Sequence, residues 1–150
     1  MIHFVKGNIF DSKTEALVNA VNTVGVMGKG IALEFKNRYP ENYKMYKTAC
    51  DDRTLKIGNV LSVKEGDGKT IINFPTKQHW KDASEYHYIK LGLRALKENI
   101  QEHKIKSIAL PALGCGLGGL KWDTVKSMIE SELKVLLLKF TCLNQFHINE

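Results

Sequence analysis

Lys77 is one residue of this chain whose type and position could serve covalent chemistry. It closes the apolar segment Asn73-Phe74-Pro75-Thr76-Lys77, and His79, Trp80 and Lys81 follow directly. An amine beside aromatic surface and a second cation holds its proton less tightly, which frees its lone pair for attack or proton abstraction. A solvated surface charge is the commoner fate of a single lysine, so the residue alone decides nothing. His79 is a candidate proton shuttle near neutral pH, with packing as the alternative role. Cys115 is the other nucleophile to weigh, but the sequence offers it no neighbouring base, and small buried thiols are common. Trp80 and Trp122 read as core or pocket walls ahead of dedicated base-stacking platforms.

Two glycine-rich loops give such a lysine something to act on. The first is Val18-Asn19-Ala20-Val21-Asn22-Thr23-Val24-Gly25-Val26-Met27-Gly28-Lys29-Gly30-Ile31-Ala32, an apolar run that passes through a loop into an amphipathic segment. The second, Ser107-Ile108-Ala109-Leu110-Pro111-Ala112-Leu113-Gly114-Cys115-Gly116-Leu117-Gly118-Gly119-Leu120, repeats the scheme and leads into a helical run from Trp122. Glycine lets the backbone adopt positive φ and approach a ligand closely. A helix start behind such a loop presents free N–H groups and the positive end of a dipole, so the pair points to a diphosphate site. Asn19 and Asn22, at the end of the first apolar run, can fix sugar hydroxyls without adding charge; turn chemistry is the competing role for both. Gly28-Lys29-Gly30 is followed by Ile31, so the Lys-Ser/Thr signature of a nucleoside-triphosphate loop is missing. A dinucleotide fingerprint after the first strand is missing as well.

The elements that must position these residues follow from hydrophobic pattern. Ile2 to Val5 and Ala16 to Val21 read as strands, the second apolar enough for burial on both faces. Ile31, Leu33 and Phe35 begin a helix that stops before Pro40, and Pro40 opens another to about Cys50. Asn59 to Lys64 and Thr70 to Phe74 flank the turn Gly66-Asp67-Gly68 as a hairpin. Asp82 and Glu85 form an expected capping box for a helix with Ile89, Leu93, Leu96 and Ile100 on one stripe. Ile105 to Leu110 is another strand, and Asp123 caps a last helix with Val125, Met128, Ile129, Leu133, Leu136 and Phe140 on its face. Strands alternating with helices predict an α/β domain whose ligand sits at the carboxyl ends of the strands, where both loops and Lys77 converge.

Composition restricts the partners. A chain of 150 residues fits a single domain spanning 1–150. Its net charge of +6 permits a polyanionic partner without requiring one. No apolar stretch approaches the roughly 18 residues of a membrane span, and no signal peptide opens the chain, so the expected location is cytoplasmic. Cys50, Cys115 and Cys142 are odd in number and widely spaced, and His3, His79, His87, His103 and His147 are scattered, so neither a disulfide framework nor a metal site is indicated.

Taken together, these segments resemble a macrodomain, the ADP-ribose-binding fold, from Ile2 to about Phe140. The first loop is similar to the branch containing the terminal ADP-ribose protein glycohydrolases. Asn73-Phe74-Pro75-Thr76-Lys77-Gln78-His79-Trp80 and Gly114-Cys115-Gly116-Leu117-Gly118-Gly119-Leu120 are similar to the DarG antitoxins, which remove ADP-ribose from thymidine in DNA. The resemblance implies a three-layer α/β/α sandwich around a mixed sheet, with a core of about 1–140 and a tail of 141–150. It implies Lys77 as the catalytic residue and no cofactor. Asn8 and Ile9 would lie beside the adenine, with Asn8 where many macrodomains have aspartate. Asn22, Gly28 and Gly30 would hold the distal ribose and diphosphate. Gly114, Cys115, Gly116 and Leu117 would cradle the diphosphate from the other side. Asn19, Lys29, Ile31, Thr76 and Gly118 complete the implied binding set.

Protein-directed glycohydrolases of the branch carry an acidic residue and then arginine where this chain has Gly118-Gly119, which favours the DNA-directed reading. Lys29, Lys77, Lys81 and Lys121 would form a basic rim for a phosphate backbone. The implied substrate is ADP-ribosyl-thymidine in single-stranded DNA, handled by a monomer. A toxin ADP-ribosyltransferase is the implied protein partner, although the toxin-binding domain usual in DarG is not expected after Phe140. The alternatives are hydrolysis of protein-linked ADP-ribose or O-acetyl-ADP-ribose, and a non-catalytic ADP-ribose reader.

Overall fold

A computed structural model of the chain describes residues 2–134, 136 and 139–143. Six strands form one mixed sheet: β1 (Ile2–Val5), β2 (Ala16–Asn22), β3 (Leu61–Lys64), β4 (Thr70–Lys77), β5 (Ser107–Leu110) and β6 (Lys139–Leu143). Their spatial order is β1-β6-β5-β2-β4-β3. All neighbours run parallel except β3, which pairs antiparallel with β4 at the edge. The hairpin around Gly66-Asp67-Gly68 is therefore present, and Ala16–Asn22 is buried through most of its length as the continuous apolar pattern required.

Four helices cover the sheet: α1 (Gly30–Arg38), α2 (Pro40–Asp51), α3 (Tyr86–Glu102) and α4 (Trp122–Leu133). Side chains alternate across β2, so Ala16 and Val18 face one layer and Leu17 the other. The first layer is α3 and α4: Ile89, Leu93, Leu96 and Ile100 pack with Val125, Ile129 and Leu133 over Val18, Ile72, Phe74 and Ile108. On the opposite face, Phe35 and Ile31 of α1 pack with Ile9 against Leu17, Ile71 and Ala109. Tyr46 and Cys50 of α2 close over Val21 and Met27. The expected α/β/α sandwich is the observed architecture. Among the described residues no helix is long and apolar enough to cross a membrane.

Several details differ from the sequence reading. The last helix ends at Leu133, and Phe140 belongs to β6, which fills the sheet between β1 and β5. The sheet therefore extends past 140 to Leu143, and residues 144–150 of the expected tail lie outside the described residues. Asp82 and Glu85 form no capping box: Glu85 is itself the N-cap of α3, without a side-chain cap bond, while Asp82 Oδ2 accepts from His79 N at 3.3 Å. Asp123 stands in the first turn of α4, after the cap residue Lys121, and Leu33 of α1 is exposed.

Gly92 explains how α3 lies so close to the sheet. A Cβ there would meet Phe74 Cζ at 2.3 Å, and Phe74 is fully buried. Alanine would favour the helix by about 1 kcal/mol, but a ring enclosed on all sides cannot give way. Gly92→Ala is expected to destabilise the domain by about 1–3 kcal/mol in urea unfolding, the cost of overpacking winning over propensity.

Candidate active site

The cavity lies at the carboxyl ends of β2, β4 and β5, with a volume of about 590 Å³. That is within the range of small-molecule sites. Among the described residues its wall carries Lys29, Lys77 and Lys81 and no carboxylate, a charge balance suited to a dianion. Lys121, expected in the same rim, is instead the N-cap of α4 and is not part of the wall.

Asn22 builds the first loop. Its Oδ1 accepts from Val24 N at 3.1 Å and Val26 N at 3.3 Å, and its Nδ2 donates to Val26 O at 2.8 Å. Tyr46 Oη lies 2.9 Å from both Asn22 Oδ1 and Asn22 O. Turn chemistry thus occupies the Asn22 carbonyl, although the residue also lines the cavity. Asn19 is fully buried and donates to Met27 Sδ at 3.8 Å, pinning the loop to the core from below; it does not reach the cavity. Held this way, the loop delivers Gly28, Lys29, Gly30, Ile31 and Ala32 to the wall. Gly30 has φ +56, and α1 starts there with no side-chain cap. The amides of a first helical turn have no intrahelical acceptors, so they and the dipole are available to an anion.

The second loop is a turn of 3₁₀ helix, Gly116–Gly118, following Cys115. Several of its amides close the loop itself: Cys115 N donates to Ala112 O at 3.1 Å, Gly118 N to Cys115 O at 3.3 Å, and Leu120 N to Gly114 O at 3.0 Å. The Cys115 amide is therefore not the free donor expected of it. Its thiol is buried, donates to Leu113 O at 3.7 Å, and is pushed up to about 11 by desolvation. Such a thiol stays protonated near neutrality and is no nucleophile. Gly114, Cys115, Leu117 and Gly118 line the wall, with Gly116 between them at φ +65.

Lys77 owes its place to an irregularity in the sheet. Val21 pairs with Pro75, but Asn22 pairs with Lys77, so Thr76 is an extra residue in β4. A bulge of this kind re-aims the side chains that follow it. Pro75 is tolerated because the pairing of β3 with β4 ends at Asn73. Thr76 is buried on the cavity wall. Lys77 Nζ donates to Trp80 O at 3.3 Å and to Leu117 O at 3.5 Å, which places the amine between the β4 end and the second loop. Burial holds its pKa below the ordinary lysine value, with Asp82 acting in the opposite sense.

Two further expected residues fall elsewhere. Asn8 caps a short 3₁₀ turn by accepting from Phe10 N at 2.9 Å, and Ile9 is fully buried beneath α1. Neither lines the cavity; Ile9 approaches it only through its packing on Ile31. Conversely, the wall includes Ala20, Val26, Trp80, Ser84, Pro111 and Ala112. Trp80 is 47% exposed, stacks on His79 with ring centroids 5.1 Å apart, and carries Lys81 Nζ 5.1 Å from its ring. It is a pocket wall and not core, whereas Trp122 packs edge-on against Phe4.

A family model, the Macro domain, matches residues 18–129. The chain belongs to the macrodomain family. It is 48% identical over 139 residues to a DNA ADP-ribosyl glycohydrolase of Thermus aquaticus, an alignment covering 91% of this chain and 39% of that protein. The chain thus spans about two fifths of the length of that relative. The solved macrodomain of Thermus aquaticus DarG superposes with a TM-score of 0.93 at 44% identity, covering 97% of this chain and 99% of that one. Thermosipho africanus DarTG in complex with ADP-ribose gives a TM-score of 0.90 at 37% identity, covering 97% and 42% respectively.

The electrostatics of Lys77 can be read directly by NMR on protein carrying ¹³C-labelled lysine. Its Cε resonance is expected to titrate at lower pH than those of the surface lysines. Asp82→Asn removes the negative charge that favours the ammonium form, so the midpoint should fall further. A midpoint unmoved by that substitution would show that the carboxylate does not act on the amine.

Proposed function

We propose that this chain is an ADP-ribosyl glycohydrolase that binds ADP-ribose in the cavity and releases it from thymidine in single-stranded DNA. The observation that carries the reading is the convergence on Lys77: one amine of lowered basicity stands between two loops suited to the two flanks of a diphosphate. The names of the similar proteins support the same direction, DNA ADP-ribosyl glycohydrolase for one and an ADP-ribose complex for another.

In this reading the diphosphate lies between the α1 N-terminus and the amides of Gly116 and Leu117. The distal ribose reaches Lys77, and the loops supply orientation that converts attack into a near-unimolecular event. A neutral amine has two N–H groups and one lone pair. In that deprotonated form the amine can donate to Trp80 O and Leu117 O and keep its lone pair for the sugar. Lys77 Nζ bonds to C1 of the distal ribose, the C1–nitrogen bond to thymine breaks, and thymine departs with that electron pair and takes up a proton. Water then cleaves the C1–Nζ bond and restores the amine.

Trp80, exposed at the mouth beside Lys81, offers a face for a base and a charge for a phosphate. The second loop disfavours the acidic residue carried there by protein-directed glycohydrolases of the branch. A Cβ at Gly118 would lie 2.5 Å from Ser84 Oγ, and Gly119 has φ +83, so neither position admits an acidic side chain without strain. A toxin ADP-ribosyltransferase partner, a monomeric state and a cytoplasmic location belong to the same proposal.

Lys77→Ala is expected to abolish release of ADP-ribose from modified single-stranded DNA, with a loss of at least about 10³-fold, while calorimetry still detects ADP-ribose binding. The C1–Nζ adduct can open its ring to a protonated imine, so cyanoborohydride added during turnover should trap a protein–sugar adduct in the wild type and not in the variant. Retained turnover in Lys77→Ala would sink the assignment. Turnover on the DNA substrate should also fall steeply as salt rises, as phosphate contacts require.

A further inference from the structure

Ser84 lies between β4 and α3, immediately before the α3 cap Glu85. It is 5% exposed, and among the described residues its Oγ has no hydrogen-bond partner. Buried hydroxyls are paired in the large majority of cases, so an unpaired one on a cavity wall marks a position for a ligand group. The other orphaned oxygen, Asn19 Oδ1, belongs to a residue that does not reach the cavity, whereas Ser84 is part of the wall. The backbone fixes Ser84 there, because its N–H donates to Gly118 O at 2.9 Å. The corner it occupies is well defined. A Cβ built on Gly118 would sit 2.5 Å from Ser84 Oγ and 4.0 Å from Lys77 Cε. The hydroxyl therefore packs against the Gly118 backbone, next to the Lys77 stem.

We propose that Ser84 is a substrate-contacting residue whose hydroxyl donates a hydrogen bond to a hydroxyl oxygen of the distal ribose and so holds the sugar against Lys77. The inference rests on the ADP-ribose reading of the cavity. A serine hydroxyl both donates and accepts, which matches a sugar hydroxyl in either sense. Its place beside the Lys77 stem assigns it to the ribose in preference to the diphosphate. Held this way, the anomeric carbon stays within reach of the amine.

The test compares wild type with Ser84→Ala, and with Ser84→Cys as a shape-preserving weak donor. Thermal unfolding without ligand is measured beside calorimetric binding of ADP-ribose and of ADP, which lacks the distal ribose. Deleting an unpaired buried hydroxyl removes no native bond, so the ligand-free Tm of Ser84→Ala should be unchanged or raised. ADP-ribose affinity should fall on the order of tenfold, one hydrogen bond's worth, while ADP affinity stays within about twofold. Ser84→Cys should show the same selective loss. Equal weakening of both ligands, or an unchanged ADP-ribose affinity with or without a lower Tm, overturns the inference and leaves the cavity reading standing. A wild-type chain that binds no ADP-ribose overturns both.

Discussion

The side-chain amide of Asn22 ties together three parts of the molecule at the end of β2. Its oxygen receives Val24 N and Val26 N from the loop and lies against the Tyr46 hydroxyl of α2, and its nitrogen returns to Val26 O. In the same register it stands opposite Lys77 of β4, just past the bulge. Loop shape, the direction of α1 and the position of the amine are thus set around one buried residue. Leaving such groups unpaired costs about 1–3 kcal/mol for each buried group, so the loop has little freedom to adopt another shape. A cavity formed this way is ready before any ligand arrives.

The second loop is constrained from the other side. A Cβ on Gly114 would approach Leu120 Cδ1 to 2.7 Å at φ +74, and Gly118 is closed off by Ser84. These glycines are required by packing as much as by ligand approach. One consequence is chemical: a backbone pressed against Ser84 and Lys77 leaves no place for a second carboxylate beside the amine. The lysine beside it stands on a wall that also carries Lys29 and Lys81, and burial lowers its basicity.

The core of the fold was legible because strand and helix periodicities are local. Ala16–Asn22 and the stripe Ile89, Leu93, Leu96 and Ile100 needed no tertiary information. The end of α4 was not legible, since the run from Leu133 to Phe140 is apolar enough for helix or buried strand. The start of α3 was misread for a tertiary reason: Ser84 N is committed to Gly118 O, and Asp82 to His79. At the site, the glycines stood out by type and spacing, whereas Lys77 gained its role from the resemblance. Ser84 did not stand out, because its meaning comes from a loop far along the chain. Asn8 and Ile9 were placed by resemblance alone, and the packing of Ile9 under Phe35 removes it from the cavity.

The account reduces to one geometric statement: a diphosphate spans the two loops and the anomeric carbon comes to the Lys77 amine. A crystal structure of the chain soaked with ADP-ribose measures this directly. The account predicts phosphate oxygens against the first turn of α1 and the Gly116–Leu117 amides, with C1 of the distal ribose in contact with Lys77 Nζ. A nucleotide bound elsewhere, or a distal ribose whose C1 lies out of reach of the amine, would contradict it.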